Sequence, residues 1–263
     1  MIKLVLTVAI GISLTSCVTY PAMHYSVAQN VPLLTQKGDI RFSIATGTEI
    51  IGLQAAYAFS KSWAAIGSYS DGLDEIETRA LTMNNYTFSD GSRRSGELAI
   101  GYFQAIDAKG IFEIYGGVER YYRSFSEVLT YGQLVQPSTF STNCTKPFIQ
   151  MDVGFHETGK HSFGLSFKFG LLTYDQLSFM VSDSTGNLVS HPNFYNPTPA
   201  LIVEPCLTYR LGRKNLSFQA QTGFSFTGSS VGSNYYYSSG SSFSESFFFN
   251  VGLSLRIIKA VEY

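Results

Sequence analysis

From residue 38 onward, apolar and polar side chains alternate along the chain. Ile40, Phe42 and Ile44 share one parity against Arg41, Ser43 and Ala45, and Ile51, Leu53, Ala55, Tyr57 and Phe59 share another against Gly52, Gln54 and Ala58. The pattern is longest over 243–257. There Phe243, Phe247, Phe249, Val251, Leu253, Leu255 and Ile257 oppose Ser244, Ser246, Asn250, Gly252, Ser254 and Arg256, with Glu245 and Phe248 as exceptions. Period two is the period of a β-strand. A run of this length exceeds the roughly 9–11 residues with which a tilted strand crosses a hydrocarbon layer. One face is greasy enough for lipid and the other polar. The pattern predicts an all-β fold, a closed antiparallel transmembrane β-barrel.

The connections repeat as well. Short ones, at 60–62, 107–110, 157–160 and 212–215, alternate with long ones at 71–94, 124–146, 175–198 and 228–242. The strands between number about ten, and short turns on the periplasmic side with long loops outside are the habit of such barrels. Both chain ends then fall in the periplasm. Pro205 lies within the strand predicted over 199–211 and cannot donate a ladder bond, so a bulge or local gap is expected there, with a partner's contact point as the rival reading. Weak helical spacing over 73–81 predicts a short solvated loop helix, whose acidic face would carry Asp71, Asp74, Glu75 and Glu77; their spacing does not fit a calcium loop.

With the apolar parity outward, the interior receives Arg41, Glu97, Glu113, Glu119, Asp152, Lys168, Glu204, Arg210 and Arg256. Such charges are stable in a narrow lumen only if they pair and their hydrogen bonds are met. Their near balance of sign favours a filled interior over a selective pore, which would line itself with one sign.

Ahead of the barrel, residues 1–16 read as an export signal: Lys3 is positive, 4–14 are apolar, and Thr15 and Ser16 are small. Residues 18–37 contain Pro21 and Pro32 and show no period, which predicts an extended periplasmic tether. The domains are therefore 1–16 signal peptide, 17–37 tether and 38–263 barrel. Charged residues make up only 14% of the chain and the net charge is −1, so there is no basic field to hold nucleic acid. Cys144 and Cys206 are too few for a disulfide framework, and a bond between them would need an outer loop to fold inward.

Chemistry-bearing constellations are sparse. Gly228, Ser229, Ser230, Val231 and Gly232 match Gly-x-Ser-x-Gly, but in a Ser/Gly-rich loop rather than a strand-to-helix turn. His156 and His161 flank a turn, where solvation competes with metal binding. Asn234, Tyr235, Tyr236 and Tyr237 form a possible contact loop, against the plainer reading of an interfacial girdle. No triad can be named, and neither a metal nor a cofactor is expected.

Short motifs add resemblances. Leu14, Thr15, Ser16 and Cys17 look like a bacterial lipobox, which implies acyl chains such as palmitate on Cys17; an ordinary signal peptide with a chance cysteine is the alternative. The lack of acidic residues over 18–37 points that lipid foot to the periplasmic leaflet. Asn250, Gly252, Leu255 and Ile257 resemble the C-terminal insertion signal of outer-membrane barrels. Taken whole, the chain resembles the small outer-membrane β-barrel superfamily of OmpA and OmpX type. The lipobox, the stretch Asn30, Val31, Pro32, Leu33 and Leu34, and a barrel opening at Gly38 look like barrel lipoproteins of Bacteroidetes-type bacteria. What the resemblance implies is a lipid-modified barrel, not an enzyme, in contact with outer-membrane lipid and protein partners. Its expected role is that of a structural or accessory subunit of a larger envelope complex, in secretion or barrel assembly, with a narrow solute channel or an adhesin as alternatives.

Overall fold

The computed structural model describes residues 27–47, 50–72, 76–81, 84–107, 109–131, 134–156, 160–182, 188–190, 199–212, 215–229 and 242–258. They form twelve strands: β1 (Asp39–Gly47), β2 (Ile50–Ala58), β3 (Trp63–Gly72), β4 (Ile76–Leu81), β5 (Asn84–Ala105), β6 (Gly110–Tyr131), β7 (Leu134–His156), β8 (His161–Ser182), β9 (Leu188–Ser190), β10 (Ala200–Gly212), β11 (Leu216–Ser229) and β12 (Ser242–Ile258). Ten of them close a ring of antiparallel pairs, in the order β1, β2, β3, β5, β6, β7, β8, β10, β11, β12 and back to β1. Each wall strand thus finds both neighbours, which removes the open edges that a half-buried sheet would present.

Side chains follow the predicted parity. Leu98 is 73% exposed on the outer surface while its neighbour Glu97 is 3% exposed. The outer band continues through Phe42, Ile44, Leu53, Phe163, Leu165, Phe249 and Leu253, all exposed. At one rim, hereafter the turn end, the connections are tight. The Ser60 hydroxyl accepts the backbone N–H of Trp63 at 2.9 Å, and Asp107 Oδ1 accepts those of Lys109 at 2.7 Å and Gly110 at 2.6 Å. These bonds stabilise the ionised Asp107 carboxylate and hold its pKa below the ordinary value.

At the opposite rim, the loop end, much of what the pattern reads as long loops is strand. β5, β6, β7 and β8 run 22, 22, 23 and 22 residues, about twice a membrane crossing, so the wall projects beyond the rim as sheet over these four of its ten strands. β4 pairs with the outer part of β5 and β9 with the outer part of β8. The expected helix over 73–81 is therefore replaced over Ile76–Leu81 by a strand, because pairing with 84–89 satisfies its backbone. Asp74 and Glu75 of the acidic group lie outside the described residues.

Pro205 produces a gap without a bulge. The register of β10 on β11 is the same on either side, Val203 opposite Phe226 and Cys206 opposite Gly223, with the two positions between them unpaired on that side.

The larger departure concerns the expected tether. Its residues 17–26 lie outside the described part, but 27–34 are inside the barrel: Gln29, Val31, Leu33 and Leu34 are fully buried. A ten-strand barrel is wider than its own side chains fill, and this segment occupies the excess.

Candidate functional site

The candidate site is the lumen together with the segment that fills it. Starting at the turn end, Arg256 pairs with Asp39, its Nε donating to Oδ1 at 2.9 Å and its Nη2 making a further short bond to Oδ2. The same guanidinium donates to the Thr35 hydroxyl at 2.6 Å. Above this pair the chain enters the lumen through Leu34 and Leu33. Leu33 has φ 52°, a left-handed conformation that costs a side-chain-bearing residue about 1–2 kcal/mol. Glu113 holds this backbone: Leu33 N–H donates to Oε2 at 3.0 Å and Leu34 N–H to Oε1 at 2.7 Å. The Leu33 side chain sits over Gly154, where any larger residue would overlap it.

Further in, the segment's polar groups meet the wall. Arg210 donates to the Val31 carbonyl, and Gln150 Nε2 donates to that of Asn30 at 2.8 Å. Asn30 Nδ2 donates to the wall carbonyls of Ala55 at 2.7 Å and Gly67 at 3.0 Å. Gln29 is the most heavily tied. Its Nε2 donates to the Glu204 carbonyl at 2.7 Å, beside the gap that Pro205 leaves, and its Oε1 accepts the Ser166 hydroxyl at 2.6 Å. Its own carbonyl accepts from Gln54 at 3.0 Å and Gln221 at 2.7 Å. Gln54 also donates to the Ala28 carbonyl at 3.0 Å. Val27 ends the described course in a pocket lined with Ala28, Ala45, Gln54, Ser70 and Asn250.

Beside and beyond the segment lies a charge cluster. Lys168 Nζ is 2.6 Å from Glu97 and 4.6 Å from the centre of the Phe148 ring. Lys146 Nζ is 2.8 Å from both Glu119 and Glu204. Glu97 and Glu119 are cross-strand neighbours, so two like charges sit side by side and the two lysines neutralise them. Glu113 and Asp152 are likewise opposite each other, as are Arg41 and Arg256.

All the residues expected inside, namely Arg41, Glu97, Glu113, Glu119, Asp152, Lys168, Glu204, Arg210 and Arg256, are buried there. The pattern missed Asp39, Arg93, Arg123 and Lys146, also buried. Arg123 ends the strand expected over 111–123 and shares the parity of Glu113 and Glu119, while Lys146 shares that of Gln150 and Asp152 but fell in the connection expected over 124–146, so the signal existed at both. Asn250 turns inward while Leu255 and Ile257 face outward. Cys17 and the contact loop Asn234, Tyr235, Tyr236 and Tyr237 lie outside the described residues.

The remaining motifs do not assemble. Cys144 registers opposite Tyr174 and Cys206 opposite Ser166, eight positions apart on β8 or about 26 Å, and both are free and buried. His161 Nδ1 is 2.7 Å from the Tyr209 hydroxyl, and no metal-binding cluster exists among the described residues. Gly228 and Ser229 end β11, and the rest of the Gly-x-Ser-x-Gly match lies outside the described part.

A closed, ten-stranded, antiparallel barrel with an apolar outside and a filled polar inside has the architecture of the outer-membrane β-barrels. The outer-membrane protease OmpT from Escherichia coli matches with a TM-score of 0.56 at 8% identity, covering 83% of this chain and 92% of that one. The translocator domain of the autotransporter NalP from Neisseria meningitidis follows with 0.43 at 14% identity, covering 82% and 86%. The KdgM porin gives 0.33 at 7% identity, covering 82% and 98%. No family model matches the sequence, and no curated protein does. The likeness to OmpT shows the barrel fold, and it corrects one expectation: this architecture is also that of a protease, so the reading of the chain as not an enzyme is withdrawn.

Proposed function

We propose that the chain is an integral outer-membrane barrel, sealed by its own N-terminal segment, that works by contact as an accessory subunit of a larger envelope assembly. The observation that carries this reading is the segment 27–34, wedged through the lumen and tied to β2, β3, β6, β7, β8, β10 and β11. A path for solute would have to displace these bonds and, beside them, the ion pairs of Lys168 with Glu97 and of Lys146 with Glu119 and Glu204. In this reading the short turns face the periplasm, together with the end of β12, and the loop end faces outside the cell. The sheet that β4 to β9 extend beyond the loop-end rim is then the surface offered to a partner, and the outer apolar band holds the barrel in lipid.

Reconstitution into planar bilayers tests the seal: the whole chain should show no steady unitary conductance, and a steady one would overturn the reading. Gentle detergent extraction followed by native mass measurement tests the assembly. A species heavier than the lone chain is expected, and a lone monomer under every mild condition would count against a subunit.

A further inference from the structure

We infer that the chain ahead of Val27 leaves the barrel through the loop end, so that its N-terminal segment is displayed on the outer face of the cell. This threading rests on the orientation proposed above, and it reverses the expectation that the lipid foot stands in the periplasm.

The direction of travel is fixed by the bonds the segment makes. Thr35 lies at the level of Asp39 and Arg256, the turn-end limit of β1 and β12. Leu33 and Leu34 lie at Glu113, three residues into β6 from Gly110. Asn30 lies at Gln150, whose cross-strand partner is Tyr115, two positions further in than Glu113. Val27 and Ala28 lie beside Ala45, Ser70 and Asn250, two positions short of the loop-end limits Gly47 on β1 and Gly72 on β3. Each residue toward the N-terminus is therefore further from the periplasmic rim. From Asp39 to Ala45 the climb is six residues, about 15 Å along the axis for strands tilted by roughly 40°.

Among the described residues, the lumen closes around the segment. Gln29, Val31, Leu33 and Leu34 are fully buried between the walls, and Gln54, Ser166 and Gln221 close on Gln29 from β2, β8 and β11. A second pass of chain to the turn end would need a lumen at least one backbone wider. The ten residues from Val27 back to Cys17 span up to about 33 Å, ample to clear the rim and reach the surface of the outer leaflet. Cys17, the residue of the lipobox-like motif, then stands outside, and an acyl chain on it enters the bilayer from the extracellular face.

The test places an epitope at three points of the full chain, in separate variants: between Thr19 and Tyr20, between Gly232 and Ser233 in the β11–β12 connection, and between Glu157 and Thr158 in a turn-end hairpin. Intact cells are probed with an impermeant antibody, and heat-modified gel mobility confirms that each variant is folded. The first two epitopes should be labelled equally on intact cells and the third only after permeabilisation. If the loop epitope is labelled and the N-terminal one needs permeabilisation, the threading is wrong while the orientation stands. If the turn epitope is labelled on intact cells and the loop epitope is not, the orientation itself is wrong. Tyr20→Cys, labelled with an impermeant maleimide, reports the location of the same segment from a single side-chain change, because Cys144 and Cys206 are buried.

Discussion

The left-handed backbone at Leu33 depends on one carboxylate, and its removal should release the segment measurably. Glu113 accepts two backbone N–H groups, at 3.0 and 2.7 Å, in a fully buried position. Glu113→Ala leaves both donors without a partner, at roughly 1–3 kcal/mol each, so the opening of the segment should become easier by about 2–6 kcal/mol. At about 1.4 kcal/mol per tenfold, this predicts roughly 30-fold to 10⁴-fold faster hydrogen exchange at the Leu33 and Leu34 amides. The left-handed φ of Leu33 pulls the same way, since the strain it stores, about 1–2 kcal/mol, is relieved on release. Exchange is read by NMR on the barrel in nanodiscs, with wall amides such as Gly116 and Ile149 as internal references that should not change. Asp152, directly opposite Glu113, supplies the control. Asp152→Asn relieves the same carboxylate repulsion but keeps both amide bonds, and should not accelerate exchange at either leucine. Parent exchange rates at Leu33 and Leu34 in a folded Glu113→Ala barrel would mean that Glu113 does not hold the segment.

Other outcomes follow from the same contacts. Lys168→Met strands Glu97 in the lumen and should cost about 3–5 kcal/mol in a urea titration of the barrel in lipid, whereas Lys168→Met with Glu97→Gln should recover most of it. Gly154→Val drives a side chain into Leu33 and should cost about 1–3 kcal/mol, with rescue by adding Leu33→Ala. The lowered pKa of Asp107 means that its contribution is present above the ordinary aspartate value of about 3.9 and is lost as pH falls through the folded value. Its carboxyl resonance should titrate below that value, and the protection of the Gly110 amide, measured against its intrinsic exchange rate at each pH, should fall on acidification. Replacing residues 27–34 by a Gly/Ser stretch of equal length should leave the ring closed and produce a steady conductance in planar bilayers that the parent lacks.

The ring of strands was legible because its signal is local. One parity must meet a nonpolar medium at every second residue, and the chain states this at Phe42, Leu53, Leu98, Phe163 and Leu253 without reference to any partner. The interior charges followed from the same rule. What escaped was of two kinds. Beyond the hydrocarbon layer no lipid selects one parity, so the outer parts of β5 to β8 lose their alternation while backbone pairing continues, and the sequence reads as loop. The segment 27–34 escaped for the opposite reason. It is neither strand nor helix, its bonds run to side chains as far as 192 positions away, and nothing in Gln29, Asn30 or Leu33 announces that Gln221, Gln150 or Glu113 will meet them. Only volume hinted at it, since Gly154 and Gly164 leave the wall hollow where Leu33 and Val31 pack.

That hollow ties the seal to the display of the N-terminus. A ten-strand ring with Gly and Ser rows facing inward cannot fill itself, so some chain must enter, and the stretch joined directly to β1 pays the smallest loop-closure cost. Because β1 starts at the turn end, the connected stretch has only one way to fill the lumen, which is to climb it. The carbonyl beside Pro205 then finds its donor in Gln29, and the floor arginines find acceptors in Asp39 and the Val31 carbonyl. A barrel sealed from within by the chain that precedes its first strand carries Val27 to the loop end, and the two proposals stand on the same set of bonds.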